Sequence, residues 1–207
     1  MSTLEVPPNY ALKLTGGPCK LWPARSLTQR YYGNEDPVTA RKFFACLFRL
    51  DETDQYVLWY SNDADGLVRD AGRIVRFSSL EALHAYASAQ GLTLQTGEPT
   101  IYDWDRIQRW CDRPVAAEIA PDPFLTAWNM LVDSRRPAST AGIFAQAHQR
   151  LWELYDKLFR ANNLPAMTPP GSEYWPTWTQ SEVTNLAQVL RLGLEELRRQ
   201  LDNLGAV

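Results

Sequence analysis

The amino-acid sequence predicts an α+β fold, with an N-terminal antiparallel sheet that carries one packed helix, followed by a C-terminal helical region. Between residues 42 and 77, short apolar runs alternate with turn residues, a pattern typical of antiparallel strands. From residue 103 onwards, apolar residues recur every three or four positions, which is typical of amphipathic helices. We therefore expect an antiparallel α+β domain over residues 1–102 and a helical domain over residues 103–207 packed against it.

The sheet is expected to begin after a lead-in rich in proline and glycine over residues 1–40. Residues 42–50 and 55–60 are rich in aromatic and branched side chains, which favour strands. The four residues between them, 51–54, suit a hairpin loop. The rest of the meander is predicted as a second turn at 62–66 and short strands at 67–69 and 73–77, with a break at Gly72.

One helix is predicted to lie on this sheet. Ser78 and Glu81 have the spacing of a capping box, in which each side chain satisfies a free backbone N–H at the helix start. Gly91 is placed to end that helix. The alternation of Leu and Thr over residues 92–96 then predicts one more strand.

Four helices are predicted in the C-terminal half. Asp103 and Asp122 can cap the first two, residues 141–160 form the third, and Thr179 with Glu182 forms a second capping box before the last. The last helix carries leucines spaced by three or four, and we expect this stripe to dock on the body of the protein: Leu186, Leu190, Leu194, Leu197, Leu201 and Leu204.

Composition and charge narrow the class of protein. The 207 residues are 45% hydrophobic and 22% charged, which is ordinary for a globular protein. A net charge of −3 argues against a general binder of nucleic-acid phosphates. We recognise no export signal and no membrane span, and the three cysteines have no disulfide or metal spacing, so a cytoplasmic location is expected.

The sequence contains no catalytic signature. The only two histidines, His84 and His148, have no second metal ligand three or four residues away. Asp103 and Asp105 could serve hydrolysis or hold a divalent metal, but two acids at a helix start are also what the helix dipole favours. We expect no catalytic residue, no metal and no cofactor.

Acidic residues concentrate between positions 51 and 70, where six carboxylates face one arginine. These residues are either two solvated loop tips or a surface that mimics phosphate for a basic partner. Two neighbouring aromatic residues are either core or interface anchors. The candidate partner-binding residues are Asp51, Glu52, Asp54, Trp59, Tyr60, Asp63 and Asp65.

Six further tryptophans are prominent among the eight in the chain. Trp104, Trp110, Trp128 and Trp152 lie on helical stripes and are expected in the core. Trp175 and Trp178 lie in a proline-rich loop, where they either form a contact surface or fasten the last helix.

Three segments, residues 73–86, 124–133 and 155–169, together resemble small bacterial proteins encoded beside toxin genes, including the immunity proteins of contact-dependent inhibition. The resemblance spans roughly residues 40–200 and implies a cytoplasmic protein that blocks the active site of its own toxin or a surface near it. It transfers no individual functional residue, because each such protein binds a different toxin.

The expected function is therefore that of an immunity protein that occludes a cognate toxin domain, as a monomer in a 1:1 complex, without direct contact to membrane or nucleic acid. Two alternatives stay open at this point. The last helix could mediate self-association in a structural or regulatory module, or Asp103 or Asp105 could serve a carboxylate-based hydrolase.

Overall fold

The structure, a computed structural model, describes residues 41–61, 65–135 and 151–202. These residues form seven β-strands and five α-helices. The strands are β1 (Lys42–Leu50), β2 (Thr53–Ser61), β3 (Gly66–Leu67), β4 (Arg69–Asp70), β5 (Arg73–Ile74), β6 (Arg76–Phe77) and β7 (Thr100–Asp103). The helices are α1 (Leu80–Ala89), α2 (Trp104–Asp112), α3 (Pro121–Asp133), α4 (Trp152–Ala161) and α5 (Gln180–Asp202).

The α+β class predicted from the sequence is confirmed: strands come first and helices dominate the second half. The main sheet has the order β3-β2-β1-β7, and β6 also pairs with β2. β1 and β2 are antiparallel over their whole length, from the Lys42–Ser61 pair to the Leu50–Thr53 pair. β7 runs parallel to β1, so the sheet is mixed at this edge.

Two details of the predicted sheet are wrong. The hairpin loop consists of Asp51 and Glu52 alone, because Thr53 and Asp54 already belong to β2. Residues 92–96 do not form a strand, although Leu92 and Leu94 are half-buried and their neighbours are exposed. Only Leu94 bridges to β1, because the chain turns away at Gly97, whose φ is +138°. β7 pairs with β1 further along, opposite Cys46–Arg49.

Two of the four predicted helix caps are confirmed, and the other two helices begin one or two residues away from the predicted start. The Thr179–Glu182 capping box is confirmed, since the Glu182 carboxylate accepts from Thr179 N at 2.8 Å and Thr179 Oγ1 accepts from Glu182 N at 3.3 Å. Asp103 caps α2 as predicted. The cap of α1 is Ser79 rather than Ser78, because it is the Ser79 hydroxyl that accepts from Ala82 N. α3 begins at Pro121, so Asp122 lies in its first turn and does not cap it.

Sheet and helices share one hydrophobic cluster within the described residues. The docking of the last helix is confirmed, because its leucine stripe is buried where α5 packs on α2 and α3. Five stripe residues are described and buried: Leu186, Leu190, Leu194, Leu197 and Leu201. The sixth, Leu204, lies outside the described residues, as does the first half of the helix predicted over residues 141–160. The division of the chain into two domains at residue 102 stays a prediction.

Three of the four tryptophans predicted in the core are there: Trp104, Trp110 and Trp128 are buried. The prediction is wrong for Trp152, which is 42% exposed and stacks on Tyr155 with the ring centroids 5.0 Å apart. It lies at the first position of α4, whose buried residues are Leu154, Tyr155, Leu158 and Ala161. Across the described residues, the helices are all too short or too polar to cross a membrane.

Candidate protein-binding surface

The predicted partner-binding residues divide into two groups at opposite ends of β2. Asp51, Glu52 and Asp54 lie at the hairpin end, while Trp59 and Tyr60 lie near the other end and Asp65 follows it. A nine-residue strand spans about 25 Å, so the acidic residues do not form a single patch. Asp63 lies outside the described residues.

The hairpin turn has an unusual backbone. Asp51 and Glu52 both have positive φ, +53° and +58°, as a two-residue turn of this handedness requires. Such a left-handed conformation costs an ordinary L-residue about 1–2 kcal/mol, which is why asparagine and glycine are usual in these turns. Aspartate is also common at the first of these two positions, but glutamate is not usual at the second, so contacts from outside the turn help to hold Glu52.

Asp105 on α2 supplies such a contact. Its two carboxylate oxygens accept the backbone N–H of Asp51 at 2.7 Å and that of Glu52 at 3.0 Å. Because β7 leads directly into α2 beside β1, the start of α2 lies next to the turn. One side chain on the first turn of a helix therefore fixes both residues of the hairpin loop.

Two arginines hold the carboxylates of the turn region. Arg198 on α5 contacts the Asp51 carboxylate through Nε and Nη2, at 2.9 Å for the shorter pair. Arg49 and Asp54 face each other across β1 and β2 and form a two-fold ion pair at 2.8 and 2.9 Å. The hydrogen bonds from these arginines hold the pKa of Asp51 and the pKa of Asp54 below the usual range.

We call Asp51, Glu52, Asp54 and Asp105, with their partners Arg49 and Arg198, the acidic tip. Four carboxylates and two guanidinium groups give it a net negative charge. Asp51, Glu52 and Asp54 are exposed to solvent. The sequence had indicated the three exposed acids, but it missed Asp105 and Arg198, which lie 54 and 147 residues from Asp51 in the chain.

The aromatic residues at the other end of β2 are not equivalent. Trp59 is only 2% exposed, and its indole N–H donates to Asp133 on α3 at 3.0 Å. Of the two roles that the sequence left open for Trp59, the structure therefore shows the core residue and not the surface anchor. Tyr60 is half-buried, with the guanidinium of Arg41 over its ring at 4.7 Å.

Trp175 is the most exposed of the large apolar side chains in the described residues, with 80% of its surface accessible. Its loop is fixed by Asn163, two residues beyond the end of α4: the Asn163 side chain accepts from Tyr174 N at 2.6 Å and donates to Tyr174 O at 3.0 Å. Trp178 is half-buried against the core, with the ammonium of Lys157 4.9 Å from its ring centre. Of the two tryptophans that the sequence left open, Trp178 fastens the loop and Trp175 faces solvent.

Asp103, Asp105 and Cys46, three of the groups considered for chemistry, have structural roles. Asp103 accepts from Arg106 N at 2.8 Å and Asp105 holds the hairpin turn. Cys46 is a core residue as predicted, and burial raises the pKa of its thiol to about 12. His84 is exposed on α1, and His148 lies outside the described residues. Among residues 41–61, 65–135 and 151–202, the acidic, cysteine and histidine side chains form no cluster suited to a metal ion.

The chain matches no protein-family model, and no curated protein or solved structure shows significant similarity to it.

Proposed function

We propose that this chain is an immunity-type protein that binds a cognate bacterial toxin domain in the cytoplasm and blocks its active surface. The acidic tip is the part that we assign to the contact, and the complex is 1:1. The partner is a toxin with a basic surface, such as a nuclease whose groove binds phosphates, since that surface complements the tip in charge.

The observation that carries the proposal is that the acidic tip is ordered by the rest of the fold. Both N–H groups of the hairpin turn are bound by Asp105, and Asp51 is bound by Arg198. A surface that is already fixed loses little conformational entropy when a partner binds, so more of the contact energy remains as affinity.

Exposed carboxylates of this kind act mainly on the rate of encounter. The net negative charge of the tip attracts a basic surface over about 10 Å at moderate salt and orients it before contact. Because the pKa of Asp51 and the pKa of Asp54 are lowered by their arginine partners, both stay ionised across the neutral range. The proposal therefore predicts association that is fast at low salt and slows as salt is added.

The test is protection and complex formation with the toxin domain encoded by the adjoining gene. The toxin domain is expressed from an inducible promoter, alone or with this chain, and growth is followed. The same proteins are then co-purified through a tag on the toxin. Restored growth together with a 1:1 complex supports the proposal. Continued growth arrest with no complex contradicts it.

A further inference from the structure

The loop between α4 and α5, residues 164–179, is exposed along most of its length, and we call it the Trp175 loop. Three of the six large apolar side chains that are exposed in the described residues belong to it: Met167 at 57%, Tyr174 at 40% and Trp175 at 80%. Glu173 is its one charged residue, whereas 22% of the whole chain is charged. Exposed Trp, Tyr and Met side chains with little charge are typical of the centre of a protein–protein interface.

The backbone of this loop is fixed on both sides of Trp175. On one side, the Asn163 side chain binds both the N–H and the C=O of Tyr174. On the other side, the Lys157 ammonium on α4 donates to Thr177 O at 2.7 Å. The Trp175 side chain therefore projects from an ordered backbone, and little conformational entropy is lost when a partner buries it.

The Trp175 loop and the acidic tip lie at opposite ends of α5. The loop leads into Gln180, the first residue of α5, and Arg198, which binds Asp51 of the tip, follows 18 residues later. At a rise of 1.5 Å per residue, these two positions are about 27 Å apart along the helix. A basic toxin surface complements the tip in charge, whereas the loop offers it one carboxylate. The loop is therefore a second surface, suited to a different partner.

Charge favours a second copy of this chain as that partner. Each chain carries a net charge of −3, so two copies repel one another unless the facing surfaces hold little charge. The Trp175 loop meets this condition and the acidic tip does not. Two-fold symmetric dimers are the commonest soluble oligomers, and such a dimer sets the loop of one copy against the same loop of the other.

The exposed apolar area limits the strength of this contact. An aromatic side chain buries about 150–250 Å², so Trp175 together with the exposed parts of Tyr174 and Met167 supplies roughly 400 Å² per chain. A standard stable interface takes about 800 Å² from each partner. We therefore expect a weak and transient contact, with a dissociation constant on the order of 100 µM.

We propose that the Trp175 loop mediates a weak, two-fold symmetric dimer, in which Trp175 of each copy packs against the same loop of the other copy. The acidic tips remain free in this dimer, so each chain can still bind one toxin domain. The dimer does not rest on the proposed toxin contact. Because it forms by burial of apolar surface, it is expected to persist at moderate salt.

The experiment is sedimentation velocity of the full chain at moderate salt, from about 5 µM to about 1 mM, a range that brackets the expected dissociation constant. We expect monomer at the lowest concentration, mostly dimer at the highest, and no larger species. Monomer at every concentration overturns the proposal. Growth beyond the dimer also overturns it, because a head-to-tail contact continues to add copies whereas a two-fold contact is closed.

Variants place the contact in the loop. Trp175→Ala is expected to weaken dimerisation at least about tenfold, and Trp175→Phe, which keeps an aromatic ring, is expected to weaken it less. Ile101→Thr removes an exposed apolar side chain on β7 and is the matched control, with native dimerisation expected. Circular dichroism checks folding, and native dimerisation of folded Trp175→Ala overturns the proposal. If the chain is always monomeric and Trp175→Ala weakens binding to the toxin domain, the loop is a toxin contact and the dimer is likewise overturned.

Discussion

Replacing Asp105 by alanine tests whether α2 holds the hairpin turn. The substitution removes the acceptor of two backbone N–H groups, at 2.7 and 3.0 Å. Each such bond contributes about 1 kcal/mol at a solvent-accessible site, and loss of an acid from the first turn of a helix adds a few tenths. We therefore expect Asp105→Ala to lower the free energy of unfolding by about 2 kcal/mol. For a chain of this length, that corresponds to a fall in Tm of roughly 4–8 °C.

The assay is equilibrium unfolding in urea, followed by tryptophan fluorescence and circular dichroism. Asp112→Ala is the matched control: it is an exposed aspartate at the end of the same helix, and it accepts one bond, from Gln108 at 2.8 Å. We expect this control to change stability by less than about 0.5 kcal/mol. Glu52→Gly should return about 1 kcal/mol to the Asp105→Ala protein, because glycine adopts positive φ without strain. Equal effects of Asp105→Ala and Asp112→Ala would refute the reasoning.

Three further predictions concern the core, the ion pairs and the Trp175 loop. Leu190→Ala should lower the free energy of unfolding by about 2–5 kcal/mol in urea titrations, because Leu190 is fully buried; a change below 1 kcal/mol would contradict that packing. A hydrogen bond from arginine lowers the pKa of Asp51. For Glu182, partial burial raises the pKa, but hydrogen bonds lower it by a larger amount, so the pKa of Glu182 is also below its usual value. The stabilisation from these two carboxylates is thus fully present above their unfolded pKa values of 3.8 and 4.5, and it is lost as the pH falls through their lower folded pKa values. We therefore expect the Tm measured by calorimetry to decrease when the pH is lowered below about 4. Asn163→Gly keeps the positive φ of +47° but removes both bonds to Tyr174, so hydrogen exchange at the Tyr174 amide should become at least tenfold faster; an unchanged rate would show that the loop is fixed by other contacts.

Features that depend on neighbouring residues in the chain were predictable. The Thr179–Glu182 capping box and the leucine stripe of α5 follow from spacing alone, and both are confirmed. Where two residues offered the same chemistry, spacing could not choose between them. Ser78 and Ser79 are adjacent and both can cap a helix, and the backbone places Ser79 there.

Features that depend on contacts between distant segments were not predictable. Asp105 looked like one of two acids that favour a helix start, and only the packing of α2 beside the hairpin reveals its role in the turn. Trp59 was ambiguous for the same reason, since its partner Asp133 lies 74 residues away.

The most direct test of the proposed function is the association rate of this chain with its toxin domain when the acidic tip is neutralised. The variant Asp51→Asn/Glu52→Gln/Asp54→Asn is compared by stopped flow, at low and moderate salt, with a control that neutralises three exposed glutamates elsewhere, Glu98→Gln/Glu118→Gln/Glu153→Gln. Both variants change the net charge equally, so any difference reports the position of the charges. We predict at least a tenfold slower association for the tip variant, with most of the salt dependence lost, and a near-native rate for the control. Equal rates for the two variants would contradict the assignment of the acidic tip as the toxin-binding surface.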